Sequence, residues 1–170
     1  MKTNYKNICL IGFMGVGKTS VGQSLAEKLD MKFYDTDTLI EEKLGMEIPA
    51  IFEKKGEAYF RKIEEETACK ILEGEDVVIS LGGGSFLNKE VQKSAEKSFV
   101  VCLSMKLNTF LKKVEEFRST RPILKDKSLD DIEDLYNIRA ACYRNCDLDI
   151  LVDKLSVEQI SQKIIQAVKE

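Results

Sequence analysis

The stretch that decides the fold is Gly12-Phe13-Met14-Gly15-Val16-Gly17-Lys18-Thr19, which fits the phosphate-binding pattern G-x-x-x-x-G-K-[ST] at every fixed position. An apolar run at residues 8–11 predicts a buried strand before it, and apolar residues recur at helical spacing over residues 21–29. A glycine-rich turn between a strand and a helix wraps backbone N–H groups around a phosphate, and the helix start adds a favourable partial charge. We therefore predict a nucleoside triphosphate site, against the alternative of a turn that is glycine-rich by coincidence.

Two side chains in this loop carry chemistry. Lys18 is predicted to reach the β- and γ-phosphates, and the hydroxyl of Thr19 is predicted to ligate Mg²⁺. The predicted cofactor-binding set also contains Gly12, Gly15, Val16, Gly17 and Ser20.

The composition is typical of one soluble domain spanning residues 1–170. The chain is 44% hydrophobic and 32% charged, and we find no apolar stretch of the roughly 20 residues that a bilayer span requires. A net charge of −3 disfavours nucleic acid as the main partner. The segment before the first strand is short and polar, so we expect no signal peptide. We expect a cytoplasmic monomer that binds neither nucleic acid nor membrane.

The residue inventory limits the chemistry. The chain has no histidine, which excludes histidine-based acid–base catalysis and histidine–metal sites. Of its 5 cysteines, Cys9 and Cys102 lie in strand-like runs and are predicted core residues, while Cys142 and Cys146 are predicted to share one helix face. We expect five reduced thiols. Catalysis must then rest on Asp, Arg, Lys and Mg²⁺.

Strands and helices alternate along the chain. Because the predicted strands are almost continuously apolar, they indicate a parallel sheet covered on both faces. The fold class is therefore α/β, a three-layer sandwich with a five-stranded parallel sheet and a phosphate loop. The predicted strands are 7–11, 32–34, 77–81, 99–103 and 148–152, and the predicted helices are 18–29, 38–44, 48–72, 89–95, 107–115, 131–146 and 157–168. The segment 41–72 is longer than one crossover helix needs, so we expect a helical subdomain beside the sheet.

Acidic residues follow the second predicted strand. In Asp35-Thr36-Asp37, two carboxylates stand at the strand end where open α/β sheets bind ligands. One could face a metal and the other a substrate. The alternative is that Asp37 only caps the helix that follows.

Two further segments have a functional and a structural interpretation. Arg61 and Glu64 are three residues apart and therefore neighbours on a helix. They form either an exposed ion pair or a pair in which the glutamate holds the arginine ready to bind a carboxylate. The three glycines of Gly82-Gly83-Gly84 weaken the end of the third strand, so they suggest that some other group approaches the backbone closely.

A polar segment at residues 116–127 carries cations and is interrupted by Pro122. It is either a mobile lid or a solvated loop. Arg139 and Arg144 lie on the following predicted helix, and their spacing of five places at least one of them on the surface.

Taken together, these segments resemble the shikimate kinase family over essentially the whole chain. The family pattern combines the phosphate loop with DxD, FRxxE, GGG, R-P-hydrophobic and R-x-x-x-Y. Its counterparts here are the loop at 12–19, Asp35-Thr36-Asp37, Phe60-Arg61-Lys62-Ile63-Glu64, Gly82-Gly83-Gly84, Arg121-Pro122-Ile123-Leu124 and Arg139-Ala140-Ala141-Cys142-Tyr143.

The resemblance implies a role for each matched residue. It implies a substrate-binding region at about 35–62 and a lid at about 114–127. Asp37 would hold shikimate hydroxyls, Arg61 and Arg139 would grip its carboxylate, and Gly82, Gly83 and Gly84 would close around its ring. Arg121 would move in with the lid and touch the transferring phosphate, so the implied catalytic set is Lys18, Asp37 and Arg121.

The resemblance also implies contacts to the metal and the nucleotide. Asp35 would support Mg²⁺ through water beside Thr19. Arg118 would contact the nucleotide, whereas the position at which the family often places an adenine-stacking arginine is the apolar Val114.

The activity that this resemblance implies is ATP-dependent phosphorylation of the shikimate 3-hydroxyl, giving 3-phosphoshikimate and ADP in aromatic amino acid biosynthesis. A GTPase switch is disfavoured, because N-K-x-D and D-x-x-G are both missing from the sequence. The alternative of the same architecture is another small-metabolite kinase, such as a gluconate kinase.

Overall fold

A five-stranded parallel sheet forms the centre of the computed structural model, which describes residues 5–118 and 120–169. Its strands are β1 (Asn7–Gly12), β2 (Lys32–Asp35), β3 (Val77–Ser80), β4 (Ser98–Ser104) and β5 (Leu148–Leu151), in the order β2-β3-β1-β4-β5. Every residue of β1 and β3 is buried, as expected where helices cover both faces of a parallel sheet. The predicted sheet is confirmed, and each strand starts and ends within one residue of its predicted bounds.

The helices occupy the segments between the strands. They are α1 (Lys18–Leu29), α2 (Thr36–Leu44), α3 (Ile48–Lys55), α4 (Glu57–Leu72), α5 (Lys89–Ser94), α6 (Leu107–Arg118), α7 (Leu129–Tyr143) and α8 (Val157–Lys169). In residues 5–118 and 120–169, none of them is long and apolar enough to cross a membrane.

The prediction of one helix over residues 48–72 is wrong, because Gly56 separates α3 from α4. Its backbone has φ 82° and ψ 166°, a conformation that essentially only glycine adopts. The apolar periodicity continues across the break. A separate apolar cluster, distinct from the main core, holds these helices together through Ile40, Ile48, Ile51, Phe60 and Ile63.

Four other helix bounds differ from prediction by two residues or more, and two of them are helix starts: α2 begins at Thr36 and α7 at Leu129, each two residues before the predicted start. Helix α6 continues to Arg118, three residues beyond its predicted end, and α7 ends at Tyr143, before Cys146. Cys146 therefore does not share a helix face with Cys142, contrary to the prediction. The start of α7 is fixed by a capping box between Ser128 and Asp131.

Four aromatic rings connect the phosphate loop to the later helices. Phe13 stacks on Tyr136 with ring centroids 4.5 Å apart, and it meets the edge of Tyr143 at 5.1 Å. The ring centroid of Phe110, in α6, lies 5.3 Å from that of Phe13. The loop after β1 is thus anchored to both α6 and α7, which carry the ends of the predicted lid.

Two of the cysteines were predicted to be core residues. Cys9 and Cys102 are buried in β1 and β4, which confirms that they belong to the core. All five cysteines are free thiols, as expected.

Candidate active site

A cavity of about 330 Å³ lies at the carboxyl ends of the strands. This is where open α/β sheets place their ligands. Its walls combine the phosphate loop, the acids after β2, the glycines after β3, the arginines of α4 and α7, and the lid. The predicted site residues that line it are Gly15, Gly17, Lys18, Thr19, Ser20, Asp35, Asp37, Arg61, Gly82, Gly83, Gly84, Arg121 and Arg139.

The phosphate loop delivers unpaired backbone donors to this cavity. Helix α1 begins after Gly17 with no side-chain cap, so the first N–H groups of the helix have no side-chain partner. Such a helix start favours a bound phosphate. Gly12 and Val16 belong to the loop but are buried beneath it, and they do not line the cavity.

Lys18 folds back onto its own loop. Its ammonium donates hydrogen bonds to the carbonyls of Gly12 at 2.8 Å and Phe13 at 2.9 Å. Desolvation lowers the pKa of Lys18 to about 8, and the nearby carboxylate of Asp37 opposes that shift. Because a phosphate would supply the missing negative charge, the loop is arranged to gain from an anionic ligand.

Thr19 and Asp35 form a pair of hard oxygen groups beside the loop. The Thr19 hydroxyl donates to Asp35 Oδ2 at 2.8 Å, so these oxygens are of the kind that Mg²⁺ prefers. Within the part of the chain that the structure describes, no group of three or more Cys, Asp or Glu side chains could hold a metal ion. An ion at this position would therefore complete its shell with phosphate oxygens and water. The pair fits Mg²⁺ on those terms.

Asp35 also caps α2. Its Oδ1 accepts the backbone N–H groups of Asp37 at 3.0 Å and Thr38 at 3.3 Å. The alternative interpretation of Asp37 as the helix cap is therefore wrong, and its carboxylate is free of that role. The sequence could not separate the two acids, because both residues are good caps.

Asp37 instead meets the lid. Its Oδ2 accepts a hydrogen bond from Nη1 of Arg121 at 2.9 Å, across 84 residues of sequence. Four residues of the predicted lid, residues 114–127, line the cavity: Phe117, Arg121, Pro122 and Ile123. Ser119 of the predicted lid lies outside the described residues.

The opposite wall holds two arginines in different states. Arg61 pairs with the buried carboxylate of Glu64 at 2.7 Å, so their pairing is more than a surface contact. Arg139 is only 3% exposed, and its Nε has no hydrogen-bond partner among residues 5–118 and 120–169. Burial lowers the pKa of Arg139. A buried N–H group without a partner is costly, and a guanidinium held in this wall favours an anionic ligand. Arg144 is exposed, as its spacing from Arg139 predicted.

The glycines after β3 let these charged groups approach the backbone. An ideal Cβ on Gly84 would lie 2.6 Å from Nη1 of Arg61, and one on Gly83 would lie 3.1 Å from Nη1 of Arg139. A larger residue at either position would displace an arginine from the cavity. The prediction of a close approach is confirmed, although here the approaching groups are side chains of the protein.

Arg118 does not line the cavity. Its Nη1 donates to the carbonyls of Leu124 at 3.0 Å and Lys127 at 2.9 Å, and its Nε pairs with Glu115. These contacts organise the lid loop, and the nucleotide contact of Arg118 stays a prediction. Val114 is fully buried and faces the core.

Three residues of the site were not predicted from the sequence. The Thr36 hydroxyl accepts the N–H of Gly82 at 2.9 Å and so ties the end of β2 to the end of β3. Phe117 covers Gly15 so closely that a Cβ there would lie 2.0 Å from its ring. Ser85 is buried beside the glycines. Thr36 stands inside the DxD motif and Ser85 directly follows Gly84, signals that could have identified them, whereas Phe117 reaches Gly15 through tertiary packing.

Comparison with known proteins agrees with this arrangement. The sequence profile described as shikimate kinase matches residues 14–169. A shikimate kinase of a Sulfurihydrogenibium species is 44% identical over 96% of this chain and 98% of its own length, and that of Bacillus subtilis is 39% identical over 96% and 89%.

Solved structures give the same result. The shikimate kinase of Acinetobacter baumannii in complex with shikimate is 32% identical, covers 98% of this chain and 94% of its own, and superposes with a TM-score of 0.90. A gluconokinase of Sinorhizobium meliloti is 14% identical with a TM-score of 0.57, so it shares the fold alone. This chain therefore belongs to the shikimate kinase family.

Proposed function

We propose that this protein transfers the γ-phosphoryl group of ATP to the 3-hydroxyl of shikimate, producing ADP and 3-phosphoshikimate. One observation carries the proposal. A single cavity is lined by the phosphate loop and by Arg61 and Arg139, and the buried Nε of Arg139 has no hydrogen-bond partner among the described residues. A triphosphate and a carboxylate-bearing acceptor can therefore lie side by side in it.

On the donor wall, Lys18 exchanges the carbonyls of its own loop for phosphate oxygens. The N–H groups at the start of α1 hold the remaining phosphate charge. Thr19 and, through water, Asp35 would hold Mg²⁺, which would supply positive charge to the phosphate oxygens.

On the acceptor wall, Arg61 and Arg139 bind the carboxylate of shikimate. A planar guanidinium matches a carboxylate with two parallel hydrogen bonds. Glu64 fixes the Arg61 side chain before the substrate arrives, which reduces the entropy lost on binding.

Asp37 and Arg121 act where the two substrates meet. The acceptor hydroxyl oxygen attacks the γ-phosphorus, the bond to the β-phosphate oxygen breaks, and ADP departs. Asp37 orients that hydroxyl and accepts its proton, while Arg121 stabilises the charge on the transferring group. Since Arg121 pairs with Asp37 from the lid, lid position and acceptor position are linked. Closure of the lid also limits the access of water.

The remaining expectations from the sequence are part of this proposal. The enzyme would use ATP and shikimate with Mg²⁺, work as a monomer in the cytoplasm, and serve aromatic amino acid biosynthesis. Gel filtration checks the oligomeric state, and a monomer should elute at the 19.3 kDa mass of one chain.

The direct test is an acceptor screen with MgATP. We expect ADP release that depends on shikimate and little release with gluconate at the same concentration. ADP release with gluconate but not with shikimate would overturn the assignment in favour of the alternative kinase.

A further inference from the structure

Tyr143 is the last residue of α7 and the tyrosine of the R-x-x-x-Y segment. It follows Arg139 by four residues, and residues four apart lie on the same face of a helix. The side chain is 3% exposed. A buried tyrosine brings a large ring and a hydroxyl that needs a hydrogen-bond partner. In this protein the ring and the hydroxyl contact two different segments of the site.

The Tyr143 hydroxyl donates a hydrogen bond to the carbonyl oxygen of Gly83. The carbonyls of the two neighbouring glycines accept backbone N–H groups from within the turn after β3. The middle carbonyl is therefore held by a side chain from another element, 60 residues further along the chain. Burial raises the pKa of Tyr143, so the phenol keeps its proton and remains a donor.

Gly83 lies between the acceptor arginine and the phosphate loop. Gly83, Arg139 and Met14 of that loop all line the cavity. The side of Gly83 that would carry a side chain faces Nη1 of Arg139, and the backbone nitrogen of Met14 is the next nearest atom. A shift of this peptide would therefore change the position of the acceptor wall relative to the phosphate loop.

The ring of Tyr143 makes the second contact. It meets the ring of Phe13 edge to face, with centroids 5.1 Å apart and planes at 78°. Phe13 belongs to the phosphate loop, and its carbonyl accepts a hydrogen bond from Lys18 at 2.9 Å. Edge-to-face pairs are favourable only over a limited range of geometries. One side chain thus contacts the donor loop through its ring and the turn after β3 through its hydroxyl.

We propose that Tyr143 is a positioning residue that fixes the acceptor turn, residues 82–84, relative to the phosphate loop. Phosphoryl transfer requires the acceptor oxygen to lie in line with the γ-phosphorus, so the spacing of these two segments affects the rate. Tyr143 acts through Gly83, and through it on the wall that holds Arg139. The kinetic part of this proposal rests on the proposed function.

Tyr143→Phe separates the two contacts, because it removes the hydroxyl and keeps the ring. Tyr136→Phe is its matched control. Tyr136 lies on the same helix, stacks on Phe13 at 4.5 Å, and donates its hydroxyl to the carbonyl of Met105 at 2.6 Å. Met105 does not line the cavity. Each variant loses one hydrogen bond from a tyrosine to a backbone carbonyl, and only the bond of Tyr143 reaches the site.

Steady-state kinetics test the positioning role. For Tyr143→Phe we expect kcat/KM for shikimate to fall about 10- to 100-fold, as for a small misplacement of reacting groups. KM for ATP should change less than about twofold, because the ring contact with the loop is kept. Tyr136→Phe should leave both quantities unchanged. Equal kinetics in the two variants, or an equal rise of KM for both substrates in Tyr143→Phe, would refute the role of Tyr143.

Hydrogen exchange tests the contact without reference to activity. The N–H groups of Ser85 and Leu87 close the turn onto Gly82 and Gly84. In Tyr143→Phe they should exchange about 2- to 10-fold faster, the range for one lost neutral hydrogen bond, and in Tyr136→Phe at the unaltered rate. Unchanged exchange in Tyr143→Phe would overturn the proposal even if the protein phosphorylates shikimate. Faster exchange in a protein inactive toward shikimate would support the positioning of the turn while rejecting the proposed function.

Discussion

At the scale of single residues, Asp37 is the group that separates catalysis from nucleotide binding. It lies outside the phosphate loop, and its Oδ2 meets Arg121 over the cavity. We expect Asp37→Asn to lower kcat by roughly 100-fold or more, in the range for loss of a general base. The dissociation constant for ATP should stay close to that of the unaltered protein. Steady-state kinetics and calorimetric titration with ATP measure the two effects, and near-normal turnover would refute the role of Asp37.

Arg139 provides a second test at this scale, because Arg144 supplies a control close to it in sequence. Arg139 is buried with an unpaired Nε, whereas Arg144 is exposed just beyond α7. Losing a hydrogen bond to a charged group costs about 1.5–3 kcal/mol, so Arg139→Ala should raise KM for shikimate by roughly 10- to 100-fold. KM for ATP should change little. Arg144→Ala should alter neither constant, and a rise of both constants in Arg139→Ala would argue against a carboxylate-binding role.

The sequence predicts residues well where a motif assigns them and poorly where packing does. Lys18, Asp37 and Arg61 stand in short patterns whose spacing carries the chemistry, and all three line the cavity. Phe117 reaches Gly15 from a distant segment, and Ser85 directly follows Gly84 but belongs to no chemical motif. An isolated serine or phenylalanine has no local pattern that distinguishes it from an ordinary core residue.

At the scale of elements, the break between α3 and α4 gives a stability test. Gly56 adopts φ 82° and ψ 166°, and a non-glycine residue in that region costs of order 1–3 kcal/mol. Gly56→Ala should lower the free energy of unfolding by about that amount. Gly74→Ala is the comparison, because the φ of Gly74 does not lie in the left-handed region. An added Cβ there would lie 3.2 Å from the carbonyl oxygen of Ile71. Chemical denaturation measures both variants, and an equal small loss would mean that the break does not depend on glycine.

Strands were predictable because their apolar runs end where the chain turns polar. The helix break was not, because apolar residues continue at helical spacing through residues 48–63 while only one glycine marks the turn. Helix starts were clearer than helix ends. Ser128 begins α7 with a capping box, but nothing in the sequence between Tyr143 and Cys146 marks where the helix stops.

At the scale of the whole molecule, stability and function compete at the phosphate loop. Burial lowers the pKa of Lys18 from 10.5 to about 8. Below about pH 8 the amine is charged in both folded and unfolded chains, so the full cost of burying that charge is present. Between about pH 8 and 10.5 the folded protein loses this proton first, so the unfolded chain binds more protons and stability rises with pH.

Lys18→Met removes this titration while keeping much of the side-chain volume. We therefore expect the stability of the unaltered protein to rise relative to that of Lys18→Met as the pH increases from about 8 to 10.5. Urea unfolding of both proteins across this range measures the difference. A difference that stays constant would show that Lys18 keeps its proton in the folded protein.

The overall architecture follows from the order of motifs along the chain. Parallel strands bring their carboxyl ends to one edge of the sheet, so segments that are far apart in sequence converge there. The arrangement of the acceptor wall could not be predicted from the sequence. Only the structure shows that Arg61 pairs with Glu64 and that the buried Nε of Arg139 has no partner among the described residues.

The central claim is that donor and acceptor share one cavity and that the phosphoryl group passes directly between them. The most direct measurement is ³¹P NMR of a reaction containing the protein, MgATP and shikimate. We predict one phosphate monoester of shikimate for each ADP formed, with almost no inorganic phosphate. ADP accompanied by inorganic phosphate and no phosphate ester would contradict the claim.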